Sequence, residues 1–436
     1  MSVYNLVSLA GIFILAGFAW LLSAHRRVVN WRVVAWGIGL QLLIGGFIFL
    51  VPAGTRFFLF ANDAVVKVLE SATAGTRFLF GRLALPPGAV NEAGETSLGY
   101  FLAFQALPTI IFFAAVVAAL YYLRIMPFLV RLFARVFTRL MRISGAESLC
   151  VSSEIFVGVE SSLVVRPHLE RMTASELTTI LTAGMASIAS TTLALYVFLL
   201  QTKIPTIAGH LVSASFLSAP AGLVMSKLLM PETGKPETLG LDIAPHYERE
   251  DNIILAIING ARSGLQLLGG IVTLLMAFLG ILALLDLGLG WVGGYLNVWF
   301  GLQFDWSFGT ILGYIYYPFA LVTGVPPPDA LAVARVVGVR TVATEIAGYQ
   351  NLARLLAQNG LAYPRSAIIA AYSLCGFAHV ASLAIFVGGI GALAPSRLKD
   401  LSRLGFRALL AATLAGLMTG AVAGAFFTRG ALFFGR

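Results

Sequence analysis

Apolar residues run through this chain in blocks long enough to cross a bilayer. The segments 5–23, 33–51, 101–123, 177–200, 207–229, 265–285, 366–393 and 408–427 are of the length that a membrane-spanning helix needs, about 17–25 residues. Between them the pattern changes. Segment 55–85 interleaves Arg56, Asp63, Lys67, Glu70, Arg77 and Arg82 with apolar residues, which predicts an interfacial or partly embedded amphipathic helix. Segment 125–143 sets arginines about one turn apart among apolar residues, as an amphipathic helix on the inner membrane surface would. Residues 86–97 read as an external loop and 231–252 as a polar, slightly acidic linker. The aromatic and glycine-rich stretch 291–324 is not placed by its pattern.

Two segments mix carboxylates and hydroxyls into apolar surroundings. One, 145–165, carries Glu147, Ser152, Ser153, Glu154, Glu160, Ser161 and Ser162. Carboxylates at membrane depth cost several kcal/mol against lipid. A re-entrant helical hairpin packed inside protein satisfies the pattern, with Gly158 available for its turn. The other, 329–356, carries Arg335, Arg340, Thr344, Glu345 and Arg354 and predicts a second hairpin. Hairpin, broken span and span then follow in that order twice, over 145–229 and 330–428. The break in each copy falls on a repeated heptad. Gly184-Met-Ala-Ser187-Ile-Ala-Ser190 returns as Gly376-Phe-Ala-His379-Val-Ala-Ser382, and Glu160 or Glu345 precedes each copy. Interrupted hydrophobic segments at corresponding places in two halves point to a secondary transporter's binding site.

Composition agrees. At 58% hydrophobic and 11% charged residues, with a mean hydropathy of +0.89, the chain is too apolar for a soluble domain. Its net charge of +9 is no sign of nucleic-acid binding, because the basic residues cluster in short loops: Arg26, Arg27 and Arg32; Arg124, Arg131, Arg135, Arg139 and Arg142; Arg397, Lys399, Arg403 and Arg407. The positive-inside rule places all three in the cytoplasm and the N-terminus outside. The first hairpin then enters from the cytoplasm and the second from outside, so the repeats are inverted. A signal peptide fits 3–24 poorly, since its basic residues follow the apolar run. Cys150 and Cys375 lie in apolar segments and read as buried thiols, with no metal-ligand spacing. No phosphate-binding loop supports ATP-driven transport, and no nucleophile elbow supports hydrolysis; the chain reads as no enzyme, with no cofactor. The fold class is all-α, a polytopic membrane protein of inverted repeats, divided as 1–99, 100–144, 145–229, 230–329 and 330–436.

Several stretches resemble the concentrative nucleoside transporters. They are Phe104-Gln105-Ala-Leu-Pro108-Thr-Ile-Ile-Phe-Phe with Leu120-Tyr-Tyr-Leu, then Arg166-Pro167 with Met172-Thr-Ala-Ser-Glu-Leu. Gly324-Val-Pro and Glu345-Ile-Ala-Gly-Tyr349-Gln350 follow, and Tyr372-Ser-Leu-Cys375-Gly376-Phe377-Ala continues to Ser382. The resemblance runs from about residue 100 to the C-terminus and is to the bacterial form with eight spans and two hairpins. It implies a homotrimer of the cell inner membrane that imports nucleosides with H+ or Na+. It further implies ribose contacts at Glu345 and Ser382, with His379 where the family usually has asparagine, and Phe377 lining the site. The family's base-reading glutamine, threonine and glutamate are reduced to Glu160. Val159 stands for the threonine, the stretch from Phe156 to Glu160 is one residue shorter, and Ser161-Ser162 replaces alanine-proline. Glu154, Val157 and Ser187 fall at the coupling-ion position, Glu154 in place of an asparagine.

The chemistry of these residues leaves each a functional and a structural reading. Glu345 can accept from both hydroxyls of a vicinal diol, or be a structural acid paired with Arg340 or another buried cation. Glu160 can accept from a base N–H, or cap amides at a half-helix end. His379 can donate from one ring nitrogen and accept at the other, or exchange a proton; its plain role is a neutral core histidine bonded to a carbonyl. Glu154, if buried, can carry a proton, which favours H+ over Na+ coupling; its plain role is a salt bridge. Ser187, Ser190 and Ser382 offer hydroxyls, although membrane serines often bond back to their own helix.

Overall fold

The computed structural model describes residues 2–91, 94–246 and 250–428, the side chains of Val159 and Glu160 excepted. Among the described residues, regular structure is helical. The first part comprises α1 (Val3–Leu21), α2 (Trp31–Leu50), α3 (Pro52–Phe80), α4 (Leu102–Gln105), α5 (Thr109–Tyr122) and α6 (Ile125–Met141). The first repeat holds α7 (Gly145–Glu154), a 3-10 segment (Val159–Arg171), α8 (Ala174–Ala186), α9 (Ser190–Leu200) and α10 (Ile207–Leu229). Next come α11 (Ile253–Phe300) and α12 (Phe308–Val322). The second repeat holds α13 (Pro327–Val342), α14 (Glu345–Ala357), α15 (Pro364–Leu374), α16 (Val380–Leu393) and α17 (Leu398–Ala425).

Both expected hairpins are present, as α7 with the 3-10 segment and as α13 with α14. Both following spans are broken at the repeated heptad, between α8 and α9 and between α15 and α16. A break inside a membrane leaves amide and carbonyl groups that must find partners within the protein, and several half-helices begin on capping side chains. Ser144 and Glu147 cap α7 reciprocally, Thr173 and Glu176 cap α8, Thr344 accepts from Ala347 N at the start of α14, and His379 caps α16.

One region extends beyond the sequence pattern, and a second is the amphipathic helix that the pattern predicts. The span at 265–285 is the middle of a 48-residue helix, α11, which continues to Phe300 and stops at Gly301 with φ 64°. The unplaced stretch 291–324 therefore supplies the end of α11 and all of α12. That helix packs on the first limb of hairpin 2, where Tyr316 Oη and Thr341 Oγ1 lie 2.7 Å apart. The segment at 55–85 is a 29-residue helix, α3, whose buried stripe includes Phe58, Asn62, Leu69 and Thr76. Asn62 Oδ1 accepts from Gly209 N at 3.2 Å and so seats α3 on α10.

Burial separates a core from a periphery. The span ending in α17 is 94% buried over its most apolar window and α10 is 89% buried, whereas α11 is 11% buried. The most apolar of these helices, α11, is thus the least covered by protein, and the less apolar α10 and α17 lie inside it. Seven helical stretches of the described residues are long and apolar enough to cross a membrane.

The contacts at the two ends of α1 establish the inversion. At its C-terminal end, Ala24 N donates to Leu229 O at the end of α10. Beside that point, buried Lys227 binds Glu147 at the base of hairpin 1 and Ser175 Oγ at the start of α8. At its N-terminal end, Arg365 donates to Ser2 Oγ, Asn5 Oδ1, Tyr4 O, Ser8 Oγ, Gly324 O and Gly424 O, each at 3.1 Å. There Asp329, at the base of hairpin 2, accepts from Ala362 N, Tyr363 N and Ser366 Oγ. The bases of the two hairpins therefore lie at opposite ends of one helix about 28 Å long, close to the thickness of a bilayer core.

Candidate functional site

Hairpin 2 turns over Ala343 and Thr344, and Glu345 is the first residue of its second limb. The carboxylate therefore sits at the hairpin tip. Glu345 Oε1 accepts from Tyr196 Oη at 2.7 Å. That tyrosine belongs to α9, in the other repeat. Its ring stacks on Tyr349, one turn along from Glu345, with centroids 4.5 Å apart. Tyr349 Oη in turn donates to Ala371 O at 3.0 Å, so the second limb of hairpin 2 is bonded to both broken spans.

Glu345 Oε2 faces His379 Nε2 at 2.9 Å, and each residue is 1% exposed at its side chain. His379 is the cap of α16, and its Nδ1 accepts from Ser382 N at 3.1 Å. An imidazole nitrogen that accepts carries no proton, so in the neutral ring the N–H is on Nε2. The pair meets ion-pair distance but not the alignment of a hydrogen bond. Among the described residues, Glu345 Oε2 and His379 Nε2 have no hydrogen-bond partner. A buried acceptor and a buried donor lie side by side with their bonding capacity unused, and such groups are uncommon in folded proteins. A hydroxyl, which both donates and accepts, matches them.

The structural reading of Glu345 as a partner of Arg340 is not what the geometry contains. Arg340, fully buried, donates from Nη1 to Ser373 O at 2.6 Å. The plain reading of Ser382 is partly met, since its Oγ donates to His379 O at 2.6 Å and accepts from His379 N at 3.2 Å. Phe377 lies beside His379 with ring centroids 4.8 Å apart.

The same segments hold the second cluster. Hairpin 1 turns after Glu154, and its tip is anchored by Phe156 against Phe133 of α6 and Phe216 of α10, at 6.1 Å each. Ser187, in the break of the first broken span, donates from Oγ to Glu154 O at 3.0 Å. Ser161 Oγ donates to the buried Glu154 carboxylate. Glu154 and Ser187 are thus brought together, and Val157 follows in the turn. Ser190 N donates to Phe156 O at 3.3 Å. The side chains of Val159 and Glu160 lie outside the described residues, so the position expected to read the base has backbone placement only.

The heptad glycines mark the crossing of the two broken spans. A Cβ on Gly376 would come 2.9 Å from Ala186 O, and one on Gly184 would meet the Phe386 ring. The breaks can touch only because these positions lack side chains. Cys150 and Cys375 are both free and buried, as expected. A cavity of about 330 Å³ reaches the tip of hairpin 1 from the side of the 231–252 linker, lined in part by Tyr121, Val157, Gly158, Thr191, His246 and Asn259.

Sequence reasoning missed Tyr196. Its signal was available: a tyrosine inside an apolar span buries a hydroxyl that needs a partner. The Arg365 hub was missed as well, because its oxygens come from residues far apart in the chain.

Three family profiles match. They are described as Na+ dependent nucleoside transporter C-terminus over residues 210–424, Na+ dependent nucleoside transporter N-terminus over 10–83, and Nucleoside recognition over 103–203. The chain is 34% identical to Nucleoside permease NupC of Helicobacter pylori over 429 residues, covering 98% of each protein. It is 37% identical to human Solute carrier family 28 member 3 over 438 residues, covering 96% of this chain but only 60% of that longer protein. Among solved structures, CNTnw in an inward-facing substrate-bound state matches with a TM-score of 0.85 at 34% identity, over 97% of this chain and 98% of that one. A CNTnw double variant in an outward-facing state matches with the same TM-score, so the similarity identifies the fold and not a step of a cycle. The relatives are transporters and permeases rather than enzymes.

Proposed function

The chain belongs to the concentrative nucleoside transporter family, and on that premise we propose that it is an ion-coupled nucleoside symporter. The observation that carries the reading is the buried pair Glu345 Oε2 and His379 Nε2, side by side and without hydrogen-bond partners among the described residues. One ribose hydroxyl donates to Glu345 Oε2. The same hydroxyl, or its vicinal neighbour, accepts from His379 Nε2. Phe377 covers one side of the sugar, and Ser382 holds His379 in its cap. Glu160 accepts from the base, with Val159 beside it. Both Glu345 and His379 are almost fully enclosed, so a solute reaches them only when a hairpin tip withdraws. Inverted repeats supply two such tips, one toward each side of the membrane.

For the coupling ion we propose a proton. The family name is sodium-dependent, and the oxygens at this position, the Glu154 carboxylate and carbonyl with the Ser187 hydroxyl, are hard donors of the type that alkali cations take. Here they are bonded internally, Ser187 Oγ to Glu154 O and Ser161 Oγ to the carboxylate. A carboxylate that cycles between charged and neutral forms makes hairpin movement through apolar surroundings less costly when neutral. Val157 contributes the turn that carries Glu154 past Ser187. The mostly uncovered apolar surface of α11 supports assembly as a homotrimer, and the three basic loops support a multi-pass protein of the cell inner membrane.

The test is concentrative uptake. Protein reconstituted into liposomes should accumulate a labelled nucleoside above its external concentration under an imposed ion gradient. Accumulation of a base-like or other ribosylated solute instead supports the second reading, which the altered segment from Phe156 to Glu160 favours. Equilibration of no solute at all would leave a membrane receptor on this fold.

A further inference from the structure

The loop after α1 and the first turns of α17 lie more than half the chain apart in sequence, yet the fold brings His25 of the one and Arg403 and Arg407 of the other to one groove. The groove has a volume of about 770 Å³ and is lined in part by Leu22, His25, Arg403, Phe406, Arg407 and Leu410. It lies where α1, α10 and α17 meet at one face, beside the Ala24 N to Leu229 O bond. By its loop charge this is the inner face.

The charges in the groove are not neutralised from within. Asp400, the acid on its wall, is already paired with Arg397 at 2.9 Å. Among the described residues Arg403 and Arg407 have no ion-pair partner, and Arg407 reaches only Met230 Sδ at 3.5 Å. Two guanidiniums four residues apart share one helix face. Leu410 continues that face toward the bilayer centre, and Phe406 beside it is 71% exposed. From Leu398 to Arg407 the helix rises about 13 Å, and beyond Arg407 α17 is almost wholly apolar. The order along the groove, cationic and then apolar, is that of a lipid read from headgroup to tail. The positive-inside effect accounts for basic residues in these loops. It does not account for unpaired guanidiniums on the wall of a groove with an apolar continuation.

We propose that this groove binds one anionic phospholipid of the inner leaflet, its phosphate between Arg403 and Arg407 with His25 at the rim, and an acyl chain along Phe406 and Leu410. Basic pockets between helices on the cytoplasmic side suit such headgroups. The inference is independent of which solute is carried.

Native mass spectrometry of the detergent-purified full chain tests it, with phosphatidylglycerol and phosphatidylcholine of equal chain length as probes. Wild type should retain phosphatidylglycerol selectively. Arg403→Gln with Arg407→Gln should bind it about thirty-fold more weakly, the share of two charges near an anionic surface. An Arg26→Gln, Arg27→Gln variant, altered in the same loop as His25 but off the groove wall, should lose less than three-fold. Equal retention of the two lipids by wild type overturns the proposal, as does undiminished retention by the Arg403, Arg407 variant. An equal loss in the Arg26, Arg27 variant overturns it too, because attraction would then be diffuse. Displacement by millimolar glycerol phosphate would mean a soluble phosphate site and not a lipid site, which also overturns it. Circular dichroism of each variant controls for folding.

Discussion

Tyr196 of the first repeat donates a 2.7 Å hydrogen bond to Glu345 of the second. The carboxylate at the tip of one hairpin is therefore oriented by the broken span of the other half, and the proposed sugar site depends on the register of the two halves. A hydrogen bond to a charged group contributes about 1.5–3 kcal/mol. Tyr196→Phe should raise the half-saturation concentration for nucleoside uptake by about ten-fold or more. Its effect should be less than additive with Glu345→Gln, since both changes act on the same charge-assisted contact. Full additivity in a double-mutant cycle would show that Tyr196 acts elsewhere.

Glu345→Gln retains shape and removes charge. Nucleoside affinity should fall by at least about ten-fold for one lost charge-assisted bond. A 2′,3′-dideoxy analogue lacks the hydroxyls and should lose less. Equal losses for both ligands would make Glu345 a structural acid.

Wild-type uptake should rise as external pH falls and should be indifferent to replacing sodium with choline. Glu154→Gln should flatten the pH response, because an amide cannot cycle its charge, while exchange of nucleoside down its own gradient survives. A sodium requirement at fixed pH would overturn this assignment. Full proton-driven accumulation by the variant would do the same and would move the carrier to His379 or Glu160.

Lys227 and Glu147 form a buried pair at the base of hairpin 1, extended by Ser175. Removing one partner of such a pair strands a buried charge at a cost of about 3–5 kcal/mol. Lys227→Met should lower the unfolding temperature of the detergent-solubilised protein clearly, and the double variant with Glu147→Gln should recover most of the loss. No recovery would place the cost in packing rather than in the stranded carboxylate.

Much of the architecture was legible because bilayer physics is demanding. Carboxylates in an apolar stretch, as at Glu154 and Glu345, left few options but a hairpin buried in protein. The small residues of the repeated heptad located both breaks. Polarity patterns do not carry helix length through glycine and aromatic residues. That is why the end of α11 and the whole of α12 could not be placed, although Gly301 supplied the stop. In the site, the grouping of Glu345 with His379 followed from the repeat, and that of Glu154 with Ser187 from the family resemblance. Tyr196 did not, because its position depends on how α9 crosses the opposite hairpin, a tertiary fact that no local spacing records. The glycines of the heptad are compatible with close helix packing, and they lie at the contact between the two broken spans.

The oxygens around Arg365 come from Ser2, Tyr4, Asn5, Ser8, Gly324 and Gly424, so the first residues of the chain are a buttress for the second hairpin's doorway. Trimming the first eight residues should therefore disturb solute handling, although none of them lies near Glu345. A purification tag is better carried elsewhere, and a fluorophore placed close to Ser2 would report on the base of hairpin 2.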